Sequence, residues 1–414
     1  MQTFLKNNLI ILIFFNFGNA FNYLFQIVAA RGLTAENFGV FNSLNSLAIV
    51  ISAPIAVFPF VFSKYTAQYW PDESGRLKSL LVLGVKFSFL LASGALAIGF
   101  LAAPWIKNYL HISVTGPVFI MIASLGISLI RPVFLGTLRG LKRFMAFGIG
   151  SNSFAFVRFL SGALLIWFFS FGVNGALFAG LAGGIVSLVI GVWALNDIWK
   201  ISAEQLPKGF FSEMSRYAFP VLLASAMVKL LGNLDIVLVR HYCSAEEAGL
   251  YATAAVLGRI ALFLPRSMVH VLFPDAVKDQ GIGAEARQKL WTTLGLTFLL
   301  GGGFSLLCIL WPELTLTLLF GEKYKGAAAL LQVTSIAMAL LAVANVLFIH
   351  GLARSKFKFL WPLTGGAGLM TGLIFFFHDT ALTIAHILLL SIGTILTVTF
   401  LMSFLAEKRP HLSQ

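Results

Sequence analysis

Runs of about 20 predominantly apolar residues, the length that takes a helix across the hydrocarbon core of a bilayer, recur about twelve times between Leu9 and Phe404. No other feature constrains the fold so tightly. Inside lipid every backbone amide must find its partner within the protein, so spanning segments are helices or closed barrels. Runs this long and continuous predict helices. The spans read as Leu9 to Ala30, Val40 to Phe62, Ser79 to Ala103, Val114 to Thr137, Ala146 to Phe169 and Gly175 to Leu195 in the first half. Those of the second half read as Tyr217 to Val239, Gly249 to Phe273, Leu290 to Trp311, Ala327 to His350, Phe359 to Phe377 and Ala381 to Phe404. Composition agrees. Hydrophobic residues make up 58% of the 414 positions and charged residues 11%, against about 45–50% and about 25% in a soluble domain. The apolar surplus, including 41 Phe, exceeds what one core can hide and requires lipid to cover it. The expected fold class is all-α integral membrane, with two six-helix bundles around a central cavity.

Charge fixes an expected orientation. Of the 29 Lys and Arg, 18 fall at the N-terminus, the C-terminus and the connections after every second helix, and 5 fall in the remaining connections. Positively charged loops stay on the cytoplasmic side, which predicts that both termini are cytoplasmic. The net charge of +13 is then a topology signal, with Arg139, Lys142, Arg143, Arg354, Lys356 and Lys358 facing anionic lipid, and no nucleic-acid partner is implied. Gly18 and Ala20 follow the apolar stretch Ile10 to Phe15 in the manner of a secretory signal. Only Lys6 precedes that stretch, however, and the internal repeat uses this helix to open its half.

A shift of 210 residues sets Thr34-Ala35-Glu36-Asn37-Phe38-Gly39-Val40-Phe41 against Ser244-Ala245-Glu246-Glu247-Ala248-Gly249-Leu250-Tyr251. Each segment follows an Arg (Arg31, Arg240) and opens the second helix of its half, where Thr34 or Ser244 can cap the helix. The second helices also carry interior prolines, Pro54 and Pro265, at which kinks are expected. An even number of helices per half gives two repeats of the same orientation, residues 1–205 and 206–414, joined by the long connection from Asn196 to Arg216. That is transporter architecture. Cys243 and Cys308 have no metal or redox spacing, no P-loop or nucleophile elbow occurs, and neither cofactor nor metal is expected. No outward loop is long enough for a folded catalytic domain, which weighs against a membrane-bound glycan polymerase.

Six cations remain inside spans: Lys86, Arg131, Arg158, Lys229, Arg259 and Arg266. If all faced lipid they would oppose insertion by on the order of 15–20 kcal/mol. Lys86, Arg131 and Arg266 lie about 10 Å from the cytoplasmic helix ends, within reach of snorkelling. Arg158, Lys229 and Arg259 sit near mid-helix, where a single clear intramembrane acid, Asp235, cannot neutralise all three. They predict a water-filled cationic cavity. Arg259, Arg266 and His270 share a face of helix 8, as do Lys229 and Asn233 on helix 7. Asn16, Asn19, Tyr23 and Gln26 on helix 1, with Asn42 and Asn45 on helix 2, could line the same cavity, or could instead hydrogen-bond between helices. The glycines of Gly180 to Gly184 and Gly365 to Gly372 read as close-packing positions. A cavity with surplus positive charge selects an anion, and amides beside it suit hydroxyl-rich groups.

The segment Ala29-Ala30-Arg31-Gly32-Leu33-Thr34-Ala35-Glu36-Asn37-Phe38-Gly39-Val40-Phe41, its partner Ser244 to Tyr251, and Leu319-Phe320-Gly321-Glu322-Lys323-Tyr324 resemble the polysaccharide-transporter branch of the multidrug/oligosaccharidyl-lipid/polysaccharide (MOP) flippase superfamily. The likeness runs along nearly the whole chain. It implies a bacterial inner-membrane flippase that turns an undecaprenyl-pyrophosphate-linked oligosaccharide between leaflets, as O-antigen translocases do, with the buried cations attracting the pyrophosphate. Implied partners are the lipid-linked anionic oligosaccharide, membrane lipid, a glycan polymerase and other surface-polysaccharide assembly proteins. Drug-exporting relatives use an acid on helix 1. This helix 1 has none, which leaves Asp235 as the candidate coupling residue. A multidrug or small organic-anion exporter would share the fold.

Overall fold

The computed structural model describes residues 2–265, 284–353 and 357–405, and their side chains within 17–265, 288–351 and 357–402. Among the described residues every regular element is a helix. Nine helices among the described residues are long and apolar enough to cross a membrane, or ten when one bent pair is taken as a single span. The twelve-span expectation also used α1 (Gln2–Gly32) and α11 (Ala245–Phe263). The first 16 side chains of α1, and the chain beyond α11 from 266 to 283, lie outside the described residues. Two compact units divide the chain, Met1–Ser225 and Ala226–Gln414.

In the first unit α1 is followed by α2 (Ala35–Ile51), a 3-10 turn (Ala53–Val57) and α3 (Phe58–Tyr69). The proline kink expected at Pro54 is present. Proline cannot donate to the helical ladder, and the two limbs of this span meet at 59°. Next come α4 (Ser74–Tyr109), α5 (Gly116–Gly140), α6 (Phe144–Ala163) running into a π turn (Leu164–Phe168), and α7 (Gly172–Trp193). Helix α7 lies so close to α6 that a Cβ on Gly183 would meet the Phe154 carbonyl oxygen at 2.5 Å. Only a hydrogen fits there.

The connection after α7 is a fastened strap of the first unit. The short α8 (Asn196–Trp199) is held by Arg143, whose Nη1 donates to Asp197 Oδ1 at 2.7 Å and to the Ala194 carbonyl at 2.8 Å. Lys78 Nζ donates to the Trp199 carbonyl at 2.8 Å and sits 4.2 Å from the Trp199 ring centroid. Farther along, Glu204 N donates to the Gly75 carbonyl at 3.1 Å, and Phe210 is buried against Tyr65 and Tyr69.

Helix 7, expected as one span from Tyr217 to Val239, is broken. It consists of α9 (Phe210–Leu231) and α10 (Leu234–Tyr242), with the break at Gly232 and Asn233. The second unit continues through α11, then α12 (Ala284–Leu310), α13 (Pro312–Leu319), α14 (Ala328–Ala353), α15 (Leu360–Phe376) and α16 (Ala381–Leu405). Helices α11 and α14 approach closely at Gly258, where a Cβ would stand 3.1 Å from the Ser335 backbone nitrogen. Thr334 Oγ1 donates across to the Ala254 carbonyl at 3.2 Å.

The repeated segments adopt the same cap. Thr34 and Ser244 have φ, ψ of −67°, 161° and −63°, 159°, and each accepts a hydrogen bond from the backbone amide three residues on. Around Ser244 the Glu247 carboxylate completes a capping box.

Candidate functional site

Four helices of the first unit line a partly open cavity of about 170 Å³. Helix α5 contributes Ser124, Ser128 and Arg131, spaced i, i+4, i+7 and therefore on one face. Helix α2 presents Phe41, Asn45 and Ser52, and α6 supplies Phe154 and Arg158. Gly180 and Gly184 of α7 form the remaining wall, with a Cβ on Gly180 falling 4.0 Å from Arg158 Nε.

The two arginines define the chemistry. Arg158 is buried at 9% exposure and its Nε has no hydrogen-bond partner. Arg131 is half-buried. Among the described residues neither forms an ion pair with a carboxylate. Their flat faces rest on aromatic rings: Arg158 Cζ lies 4.2 Å from the Phe25 centroid and 5.8 Å from those of Phe41 and Phe154. Arg131 Cζ lies 4.6 Å from the Phe154 centroid. A desolvated cation–π contact contributes about 2 kcal/mol, less than the several kcal/mol that taking each ion out of water costs. The difference favours an anion or water in the cavity.

The second unit holds a different arrangement. Asp235, fully buried at the start of α10, accepts a hydrogen bond from the Tyr251 hydroxyl at 2.9 Å, and Arg259 Nη2 stands 3.9 Å from its other oxygen. Arg259 thus has the one clear intramembrane acid beside it. Lys229 is half-buried near the end of α9. Asn233 does not extend a shared face with Lys229, because the helix breaks between them. Its Nδ2 donates to the Lys229 carbonyl at 2.8 Å, supplying one of the donors that the last carbonyls of a helix lack.

The other sequence candidates are scattered. Lys86 stands on the exposed side of α4, outside the cavity. Asn42 is buried outside the cavity and donates to the Phe38 carbonyl at 3.0 Å, one turn back on its own helix. Asn19 and Tyr23 are half-buried and do not line the cavity, nor does Gln26, whose Oε1 is buried without a hydrogen bond. Asn16, Arg266 and His270 lie outside the described residues. Of the proposed cations and amides, the structure brings together Arg131, Arg158 and Asn45. Sequence reasoning missed Ser124 and Ser128, although their helical spacing from Arg131 was there to read. It also missed Phe25 and Phe154, whose supporting role depends on neighbouring helices.

Residues 4–278 match the model of a family described as polysaccharide biosynthesis protein. An uncharacterized membrane protein of Methanocaldococcus jannaschii is 22% identical over 381 residues, which cover 87% of this chain and 88% of that one. Among solved structures, an inward-facing multidrug resistance MATE family transporter of the MOP superfamily superposes with a TM-score of 0.81 at 12% identity, covering 94% of this chain and 96% of its own. A MOP superfamily transporter from Pyrococcus furiosus, described as having a binding pocket of reversed polarity, gives 0.65 at 13% identity, covering 97% and 95%. Identities this low carry the fold alone. With well over half its length matched by one family model, the chain belongs to the polysaccharide biosynthesis protein family, and it is a multi-pass membrane protein whose fold is shared nearly end to end with these MOP superfamily structures.

Proposed function

We propose that the protein is a flippase of the bacterial inner membrane, moving an undecaprenyl-pyrophosphate-linked oligosaccharide of a surface polysaccharide from the cytoplasmic to the periplasmic leaflet by alternating access. The observation that carries this reading is the pair Arg131 and Arg158, two guanidinium groups sharing an intramembrane cavity without a carboxylate partner among the described residues. A lipid-linked glycan supplies what such a cavity lacks: negative charge, and hydroxyl groups for Asn45 and the two serines. Lys229 adds positive charge in the other unit, where Arg259 is matched by Asp235. The Lys and Arg asymmetry of the loops supports cytoplasmic termini, and Asp235 remains the candidate for coupling to an ion gradient.

A leaflet-resolved assay in a strain lacking the protein tests the reading. Lipid-linked oligosaccharide should accumulate in the cytoplasmic leaflet, and Arg158→Gln expressed at wild-type abundance should fail to clear it. The fold likeness to drug transporters supports a second reading, an organic-anion exporter. That reading gains if the deletion strain is drug-sensitive while its surface glycan and leaflet distribution stay normal.

A further inference from the structure

We infer that the Arg131–Arg158 cavity takes a pendant carboxylate of an acidic sugar, a hexuronate, and does not take the diphosphate bridge of a lipid-linked substrate. The flippase reading supplies the source of that sugar; the cavity supplies the argument for its chemistry.

The setting comes first. About 170 Å³ of space, open on part of its boundary, is lined by residues of one bundle. A diphosphate bridge continues at both ends, into a sugar and into a prenyl chain, whereas a pendant carboxylate ends where it binds.

The polar inventory discriminates further. Each guanidinium offers five N–H donors, and a carboxylate accepts them in the bidentate geometry that arginine favours. The serines point the other way. Ser124 Oγ donates to the Ile120 carbonyl at 2.9 Å and Ser128 Oγ to the Leu125 carbonyl at 2.7 Å. With their protons committed, both oxygens are left as acceptors. Pro132, lacking an N–H, also gives the Ser128 carbonyl no helical donor. Ionised diphosphate has only acceptors, so these oxygens repel it. A hexuronate matches both sets, with a carboxylate for the arginines and hydroxyl donors for the serines.

The full chain in nanodiscs of zwitterionic lipid tests this with three probes at matched ionic strength: trigalacturonate, neutral galactotriose and inorganic pyrophosphate. Trigalacturonate should bind, galactotriose should bind about tenfold more weakly or worse, and pyrophosphate should not displace the uronate at equal concentration. Arg158→Gln and Arg131→Gln should each weaken uronate binding about tenfold, the loss of one charged hydrogen-bond set. If Arg158→Gln does not fold, Arg131→Gln and the three wild-type titrations still decide. Displacement by pyrophosphate, equal binding of galactotriose, or no uronate binding overturns the inference. Proteoliposomes carrying a uronate-bearing lipid-linked glycan, beside others carrying a neutral one, separate the two readings. Crossing of the neutral glycan without uronate binding overturns only the ligand assignment. Uronate binding with no lipid-linked glycan crossing at all overturns the flippase reading and supports the ligand class of the cavity.

Discussion

The guanidinium carbon of Arg158 stands 4.2 Å from the ring centroid of Phe25, a residue of α1 that is fully buried. Phe25 also packs against Gly162 of α6, where a Cβ would meet its ring at 2.4 Å. One side chain therefore joins α1 to α6 and supports the cation of the cavity. Phe25→Leu keeps most of the apolar volume and removes the ring face, and should destabilise the protein by about 2 kcal/mol. Thermal unfolding in detergent measures this. An unchanged midpoint would show that the ring does not hold the guanidinium.

Arg158→Gln and Arg131→Gln should reduce translocation of lipid-linked glycan about tenfold or more while leaving membrane abundance near wild type, since each change removes a desolvated charge instead of a packing core. Immunoblotting beside the leaflet assay separates the two quantities. Full activity in both variants would refute a role for the cavity.

The Asp235, Tyr251 and Arg259 cluster behaves differently. Removing one member of a buried ion pair costs about 3–5 kcal/mol, so Asp235→Ala should sharply lower folded abundance. Tyr251→Phe, which leaves Asp235 one hydrogen bond short, should cost about 1–3 kcal/mol. A double-mutant cycle of Asp235→Asn with Arg259→Gln, followed by thermal unfolding, measures the coupling. Additive effects would argue that the 3.9 Å pair contributes nothing.

The strap carries a pH signature. Hydrogen bonds from Arg143 hold the Asp197 carboxyl below its ordinary value of 3.8, and the same bonds raise the Arg143 pKa. A lowered carboxyl pKa adds stability above pH 3.8, and that contribution disappears as the pH falls through the folded-state value. Both side chains are partly exposed, so the coupling at pH 7 should be about 0.2–1 kcal/mol. A cycle of Arg143→Gln with Asp197→Asn, repeated toward acid pH, should see it vanish. A coupling that persists after the carboxyl is protonated contradicts this account.

Gly183→Ala places a methyl group against the Phe154 carbonyl oxygen, and backbone cannot move aside as a side chain can. We expect about 1–3 kcal/mol of destabilisation with reduced transport, because Phe154 and the neighbouring Gly180 and Gly184 line the cavity. Gly94→Ala, where nothing lies within 4 Å, should be neutral or gain up to about 1 kcal/mol from helix propensity. Equal effects at the two positions would mean that α6 and α7 are not in close contact there.

Much of this protein was legible before any coordinates. Hydrophobic run length fixes spanning helices because lipid leaves backbone amides no other partner. The Pro54 bend follows from a missing N–H, and the matching caps at Thr34 and Ser244 follow from local hydroxyl chemistry. These are short-range effects, complete within a few residues of chain. The strap and the helix 7 break were not readable in the same way. The strap depends on Arg143 and Lys78 reaching a distant segment, and the Gly232–Asn233 break is closed by an amide whose orientation the spacing left open.

The sequence alone determined that the chain is a membrane-spanning helical protein with more Lys and Arg than acids inside its apolar runs. Which of those cations share a space was decided only by packing. Arg131 and Arg158 come together because small residues on α7 let both α5 and α6 close on it, whereas Arg259 stands beside Asp235 and Lys86 stays on the outer side of α4. Helical periodicity assigns each side chain a face but does not say which helix that face will meet, and a buried charge takes its character from the residues it meets.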